Sequence, residues 1–378
     1  MKKTILLIIL ISMLLPAALF AQTAEPIRVG VFLDITGVTS IFGIPTRNGI
    51  KLAVEEINAA GGINGRRLKV FLEDNQGRPE KSKGVAARLI NENKVHAIIG
   101  DVASANSLAV APLAQEAEIP MITPASTNPR VTAVGDYIFR TCFIDPLQGE
   151  AMAKFAFNEL MARRVAILTD VNSDYSKGLT ENFTQTFTRL GGKIVAKESY
   201  FQSDSDFKGQ LYKIRSRRPD AVYLPGYFGQ TGVIAKQARR LKMLMPLLGG
   251  DGWDSPELWK LGGNALNNTY ITNHFAVDNP AAEVRDFIKK YEAKFNEKPD
   301  SLAALGYDAV YVLADAVRRA GTTDGELLRD AIAQTKNISG VSGKIAQIDK
   351  NRNAVKPVYI LKLNPKASEF VYNSTIEP

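Results

Sequence analysis

The sequence predicts an α/β protein made of two doubly wound, Rossmann-like parallel-sheet lobes joined by a three-crossing hinge, with a cleft between them. Three observations carry this. Short apolar runs alternate with segments of helical apolar period from Ile27 to Arg140. The same alternation restarts after Asp145-Pro146, and no Pro-, Ser- or Gly-rich linker separates the halves. Strand–helix alternation argues for βαβ units and a parallel sheet. Its repetition argues for two such sheets, and the missing linker for strands that pass between them near residues 145, 275 and 350. The first lobe then holds residues 27–144 and 276–350, and the second residues 145–275 and 351–378.

In the first half, Ile27 to Leu33 is a strand ended by Asp34-Ile-Thr-Gly37. A loop from Val38 to Phe42 leads into a helix from about Gly43 to Ala60, with Ile50, Ala53, Val54 and Ile57 on one face. Gly61-Gly-Ile-Asn-Gly65 stops it and turns the chain. Leu68 to Glu73 is the second strand, and Pro79 opens a helix whose apolar side is Val85, Ala86, Leu89 and Ile90. Tyr137 to Arg140 closes this half as a strand.

In the second half a helix runs to about Ala162, and a strand follows from Arg164 to Leu168. The loop Asp170 to Tyr175 precedes a helix to Leu190, stopped by Gly191-Gly192. Next come a strand, Ile194 to Tyr200, and a helix led by Asp204-Ser-Asp-Phe207. The strand Asp220 to Leu224 ends in Pro225-Gly-Tyr-Phe-Gly229, a helix reaches about Leu241, and Leu247-Leu248 ends in Gly249-Gly-Asp-Gly-Trp253. After Tyr270 to Phe275, helices are expected over Ala281–Phe295, Ser301–Ala320 and Gly325–Gln334. The last strands are expected over Gly343–Ile348 and Val358–Leu363.

The stretch from Ala97 to Pro129 is the most telling. Ala97-Ile-Ile-Gly100 reads as a strand buried on both faces. A helix starts at Ser104, with Leu108, Val110, Ala111, Ala114 and Ala117 at helical spacing. Ile119 to Thr123 is the next strand, broken at Pro124 into Ala125-Ser-Thr-Asn-Pro129. In a parallel sheet both turns lie at carboxyl ends of neighbouring strands, where open α/β sheets bind ligands. The hydroxyls of Ser104 and Thr127 and a helix N-terminus would then face one point, suited to a carboxylate. The same residues also fit a plain N-cap at Ser104 and a plain turn at Thr127–Pro129, and on their own they leave both readings open.

Composition narrows the classes. Hydrophobic residues make up 45% of the chain and charged residues 23%, with no low-complexity tract, as in ordinary globular proteins. Residues 1–21 stand apart: Lys2-Lys3, an apolar run from Ile5 to Leu15, then Pro16 and the small residues Ala17, Ala18 and Ala21. This is the order of a secretory signal peptide cleaved after Ala21. The formal net charge is +8, of which Lys2 and Lys3 supply two, leaving +6 for the exported chain. The basic residues are scattered and not interleaved with aromatics, which disfavours nucleic acid as a partner. The single Cys142 has no motif relation to His96 or His274 and reads as a packing residue beside Phe139 and Phe143. There is no dinucleotide or phosphate-loop glycine motif, no nucleophile elbow and no Cys/His cluster. Asp170, Asp174 and Asp251 sit singly at strand ends, not at metal-ligand spacing, so neither a metal nor a cofactor is expected.

Asn58-Ala-Ala-Gly-Gly-Ile-Asn-Gly65, Ile99-Gly-Asp-Val-Ala-Ser104 and Ile122-Thr-Pro-Ala-Ser-Thr-Asn-Pro129, behind an export signal, resemble the leucine/isoleucine/valine-binding protein family. These are extracytoplasmic substrate-binding proteins of ABC importers with the type I periplasmic binding fold. The resemblance runs from about Ile27 to the last strands. It implies that Ser104, Ala125 and Thr127 hold an α-carboxylate. It implies that Tyr175 and Tyr227 reach the ligand from the second lobe and that Asp251 pairs with an α-ammonium. Phe42 and Tyr307 would be the aromatics lining the side-chain pocket. It further implies a non-enzymatic, periplasmic monomer that takes an amino acid, branched-chain or related, to a membrane ABC permease. Phe42 stands where a larger aromatic can occur, and Asp251 is shorter than the Glu common in branched-chain binders, so the ligand's side chain stays open. A sensory protein for an amide or small organic acid would use the same fold and cleft. An amino-acid zwitterion needs donors at one end and an acceptor at the other, which Ser104, Thr127 and Asp251 can supply.

Overall fold

The computed structural model describes residues 25–377; the expected leader lies outside them. In chain order the first half is β1 (Ile27–Leu33), α1 (Ser40–Ala59), β2 (Leu68–Asp74), α2 (Pro79–Asn91), β3 (Ala97–Ile99), α3 (Ser104–Glu116), β4 (Met121–Thr123) and β5 (Ile138–Arg140). The five strands form one parallel sheet in the order β2-β1-β3-β4-β5. The continuous apolar runs behave as expected: every residue of β3, β4 and β5 is buried, because helices cover both faces. Edge strand β2 instead carries exposed positions along its length.

The second half continues with α4 (Asp145–Lys154), β6 (Arg164–Asp170), α5 (Asp174–Arg189), β7 (Lys193–Tyr200), α6 (Lys208–Ser216), β8 (Ala221–Tyr223), α7 (Phe228–Arg240), β9 (Leu247–Gly249), α8 (Pro256–Gly262) and β10 (Thr269–Asn273). Strands β6 to β10 repeat the first sheet's order as β7-β6-β8-β9-β10, all parallel. Then come α9 (Ala282–Phe295), α10 (Ser301–Ala320), α11 (Gly325–Ala333), β11 (Lys336–Ile338), β12 (Ile345–Ile348), β13 (Ala354–Val355), β14 (Val358–Asn364) and β15 (Glu369–Ile376). β11 to β13 make a small antiparallel sheet, whereas β14 joins β10 antiparallel and β15 extends beyond it. Strands β11, β13 and β15 are not expected from the sequence. β15 lies at a sheet edge with every residue half-buried or exposed, so it lacks the apolar period that marks a strand.

The helices α10 and α11 return to the first lobe's core. Val310, Leu313, Val317, Leu328 and Ile332 pack with Val29, Val31, Ile50 and Ala53. The approach of α10 to α1 is close: a Cβ on Gly49 would lie 1.9 Å from the carbonyl oxygen of Ala303. The second lobe has a core on each face of its sheet, one around Trp253, Leu211 and Ile234 and one around Phe183, Phe187 and Tyr223. Both sheets change winding direction at corresponding points, between β1 and β3 and between β6 and β8. Ligands of open α/β sheets bind beyond the strand ends at such points. Here two of them contribute to one cleft. Among the described residues no helix is long and apolar enough to cross a membrane.

Candidate functional site

The loops after β1, β3, β4, β6, β8 and β9 and the start of α10 meet around a narrow cleft between the lobes. Its walls are Phe42, Val102, Ser104, Ala125, Thr127 and Leu302 from the first lobe and Tyr175, Tyr227, Asp251 and Gly252 from the second. The structure therefore brings together seven of the residues singled out in the sequence.

The eighth, Tyr307, is elsewhere, which corrects its expected place in the pocket. Its hydroxyl donates to Glu56 at 2.6 Å, and its ring packs on Phe287 and Tyr311 inside the first lobe. The reason is helical period. On α10 Leu302 faces the cavity, and five residues further, at about 100° each, the side chain has turned well away.

The first lobe's half is a set of donors. Ala103, not Ser104, occupies the cap position of α3, and no side chain caps it. Ser104 is thus the first helical residue, and its hydroxyl accepts from Asn128 N–H at 3.3 Å. The plain N-cap reading of Ser104 does not hold. The Ala125–Pro129 loop is fixed from beneath by a fully buried Arg140, which donates to the carbonyls of Ser126 at 2.5 Å and Asn128 at 2.8 Å and to Thr132 Oγ at 3.1 Å. Buried Asp101 ties the preceding turn: it accepts from Asn106 Nδ2 at 3.0 Å, Ala103 N–H at 3.2 Å, Val102 N–H and Asn75 Nδ2. Burial nonetheless lifts its pKa to about 6. Cys142 is buried against this loop, and burial pushes its thiol up to about 12, so it packs and does not react.

The second lobe's half centres on Asp251. The Tyr175 hydroxyl donates to Oδ1 at 2.7 Å, Gln148 Nε2 donates to Oδ1 at 3.0 Å, and His274 Nε2 lies 3.0 Å from Oδ2. Tyr175 is the second residue of α5, behind an N-cap made by Ser173, whose hydroxyl accepts from Ser176 N–H. Glycine is needed beside it, since a Cβ on Gly250 would sit 2.4 Å from Gln148 Oε1 and 2.5 Å from the Tyr175 oxygen. Burial, with the Asp251 carboxylate beside it, holds the Tyr175 phenol well above its usual range. His274 is fully buried, and burial lowers its pKa to about 4 against the opposing pull of Asp251. Its contact with Asp251 is therefore a hydrogen bond from a neutral ring and not an ion pair.

Aromatic side chains join the two halves. The Tyr227 ring stacks on Tyr175 at 5.2 Å and meets Phe42 at 5.8 Å, and Phe42 also packs edge-on to Phe228 at 5.3 Å. Beyond the cavity, Asn128 Nδ2 donates to the Asp174 carbonyl at 3.1 Å, and Arg130 lies 3.6 Å from the Asp174 carboxylate. Sequence reasoning missed Val102, Gly252 and Leu302 on the wall, and Gln148 and His274 behind it. Apolar wall residues carry no residue-type signal. His274 did have one: it is one of only two histidines and directly follows a strand.

The arrangement has a donor-rich pole on one lobe, an anionic pole on the other, and apolar side chains between them. The profile of the Periplasmic binding protein family matches residues 26–368. A Leu/Ile/Val-binding protein homolog of Brucella melitensis is 32% identical over 81% of this chain and 82% of its own. The crystal structure of a leucine-binding protein of Thermotoga maritima is similar at a TM-score of 0.88 and 41% identity, over 93% of this chain and 99% of that one. A branched-chain amino acid transporter substrate-binding protein of Streptococcus pneumoniae, in complex with isoleucine, matches at 0.87 and 32%, over 93% and 100%. A solute-binding protein of Rhodopseudomonas palustris, in complex with 3,4-dihydroxybenzoic acid, matches at 0.82 and 26%, over 93% and 97%.

Proposed function

The chain belongs to the periplasmic binding protein family, and from that premise we propose that it holds an α-amino acid with a small aliphatic side chain between its lobes and delivers it to a membrane ABC permease. It works as a monomer, without cofactor or chemical turnover, in the periplasm. Ser104, Ala125, Thr127 and the start of α3 take the α-carboxylate. Asp251 takes the α-ammonium, and Phe42, Val102, Leu302 and Tyr227 surround the side chain.

The observation that carries this reading is Asp251 on the wall of a cavity whose opposite wall is built from hydroxyls and a helix N-terminus. A ligand that is only an anion would leave the Asp251 charge uncompensated in a closed, poorly hydrated space, which is costly. A zwitterion compensates both poles at once. The apolar wall residues Val102 and Leu302 suit an aliphatic side chain.

The second reading is an aromatic acid. It is favoured by the layer of Phe42, Tyr227 and Tyr175 and by the relative that carries a dihydroxybenzoic acid. Isothermal titration of the mature protein with leucine, isoleucine, valine, alanine, benzoate and 3,4-dihydroxybenzoate separates the two. Binding of a branched amino acid with the aromatic acids silent is expected. The reverse pattern would overturn the amino-acid reading.

A further inference from the structure

We infer that Gln148 and His274, neither of which lines the cavity, are positioning residues that hold Asp251 with one acceptor position open toward the ligand, and so make the site select amino acids over the same acids without the amine. The inference rests on the amino-acid reading above.

The hydrogen bonds of Gln148 leave its orientation no freedom. Its Oε1 accepts from Asp251 N–H at 3.2 Å and from Thr272 Oγ at 2.9 Å. Its amide nitrogen therefore faces Asp251 Oδ1, and a flip would set that nitrogen against the Asp251 N–H, donor to donor, and the amide oxygen against the carboxylate. Together with the Tyr175 hydroxyl it fills both lone-pair positions of Oδ1. The imidazole of His274 takes one position on Oδ2. Its plane is set by stacking on Phe143, with ring centroids 3.5 Å apart and 21° between planes. The ring is neutral, since burial and the nearby Lys356 cation both disfavour a second proton and only Asp251 favours one. A neutral ring facing a carboxylate must carry its hydrogen on Nε2, which leaves Nδ1 as the buried atom without a partner. Three of about four acceptor positions are thus occupied, and the fourth lies on Oδ2.

All three holders are neutral donors. They fix the carboxylate in place without cancelling its charge, as an Arg or Lys in the same position would. The whole negative charge is left for a cation entering the cavity, which is the condition for a large penalty on ligands that lack one. Gln148 comes from the start of α4 and His274 directly follows β10, the two stretches next to the places where the chain passes between the sheets, whereas Tyr175 comes from α5.

The test uses the full mature protein, calorimetry with leucine, and isocaproate as the same skeleton without the amine. His274→Phe keeps the stack on Phe143 and removes the donor; His274→Gln restores one; Gln148→Met removes the other. His274→Phe and Gln148→Met should each weaken leucine about tenfold or more, the order expected for losing a hydrogen bond to a charged group, while isocaproate binding changes little. His274→Gln should recover most of the loss. Leucine affinity within about threefold of wild type in both His274→Phe and Gln148→Met, with cooperative unfolding retained, would overturn the inference and leave the amino-acid reading standing. Failure of wild-type protein to bind any amino acid overturns both. If the variants do not fold, nitrogen NMR of the wild-type histidines decides. The expected spectrum is a neutral Nε2–H tautomer for His274 whose signal moves with leucine and not with isocaproate, while His96 stays unmoved. The other tautomer, or no movement, overturns the inference.

Discussion

Replacing Asp251 by Asn is the sharpest test of the site, because it changes charge and almost nothing else. The amide oxygen can still accept from Tyr175 and Gln148, which now reach Oδ1 at 2.7 Å and 3.0 Å. The amide nitrogen then faces His274, which must shift its hydrogen to Nδ1, an atom with no partner in the present structure. That buried orphan costs about 1–3 kcal/mol of stability. The cost to ligand affinity is larger. Removing one partner of a buried ion pair costs about 3–5 kcal/mol, and at 1.4 kcal/mol per decade this is roughly two to three and a half orders of magnitude in Kd. The sign reverses for isocaproate, which has no ammonium: Asp251→Asn removes an uncompensated charge from its path and should strengthen its binding. Calorimetry of both ligands against both proteins at neutral pH, with thermal unfolding as the control for folding, measures the crossover. A leucine Kd within tenfold of wild type, or a fall in isocaproate affinity, would refute the assignment of Asp251 as the ammonium acceptor.

Ser104→Ala should cost less than Asp251→Asn, about 1–3 kcal/mol in leucine affinity by the same titration, since it removes one neutral donor among several; a loss exceeding that of Asp251→Asn would place the dominant charge contact in the first lobe. Tyr307→Phe should leave ligand affinity unchanged and lower the melting temperature, because its hydroxyl serves Glu56 and not the cavity. Asp145 links stability to pH. Burial pushes its carboxyl up to about 8 in the folded protein, against about 3.9 when unfolded. The stability tied to this group is therefore full below pH ~4 and is lost as pH rises toward 8. Asp145→Asn should melt near wild type at pH 4 and progressively above it toward pH 8, and a constant offset across that range would contradict the buried, protonated carboxyl.

Most of the fold could be read in the sequence because buried parallel strands and amphipathic helices leave strong periodic signals. β3 and β4 are plain apolar runs, and α10 shows its apolar face over five turns. β15 could not be read this way, since it is defined by pairing to β14 and not by its own side chains. The site divides along similar lines. Ser104, Thr127 and Asp251 are polar residues at the ends of readable strands, so their exposure to a shared cleft follows from topology. Tyr307 is an aromatic on a long helix, and residue type does not say which face of that helix meets the cleft. Gln148 and His274 act through Asp251, from positions 103 and 23 residues away in the chain. No local pattern links them to it.

Each half of the cavity is satisfied within its own lobe. Ser104 accepts from Asn128, on the neighbouring loop of the first lobe. Asp251 receives from Tyr175, Gln148 and His274, all on second-lobe elements or the strand that leaves them. Separating the lobes would therefore orphan none of these groups. What separation would remove is the packing of Phe42 on Tyr227 and Phe228, the polar contacts of Asn128 and Arg130 with Asp174, and the bond from Ser301 N–H to the buried Asp254 carboxylate at 3.1 Å, the last worth about 1.5–3 kcal/mol. Those ring contacts are worth about 0.5–1.5 kcal/mol each beyond their burial, and the exposed Arg130–Asp174 pair at most about 1 kcal/mol. Such terms are small enough for a bound ligand to decide between open and closed forms. A ligand shifts that balance only by contacts it makes in one form and not the other. On the proposed amino-acid reading those contacts are the carboxylate on the first lobe and the ammonium on the second, held at the same time. On that reading selectivity and closure rest on the same charge pair: an acid without an amine would fail to engage Asp251, and by the same omission would give the second lobe little reason to close.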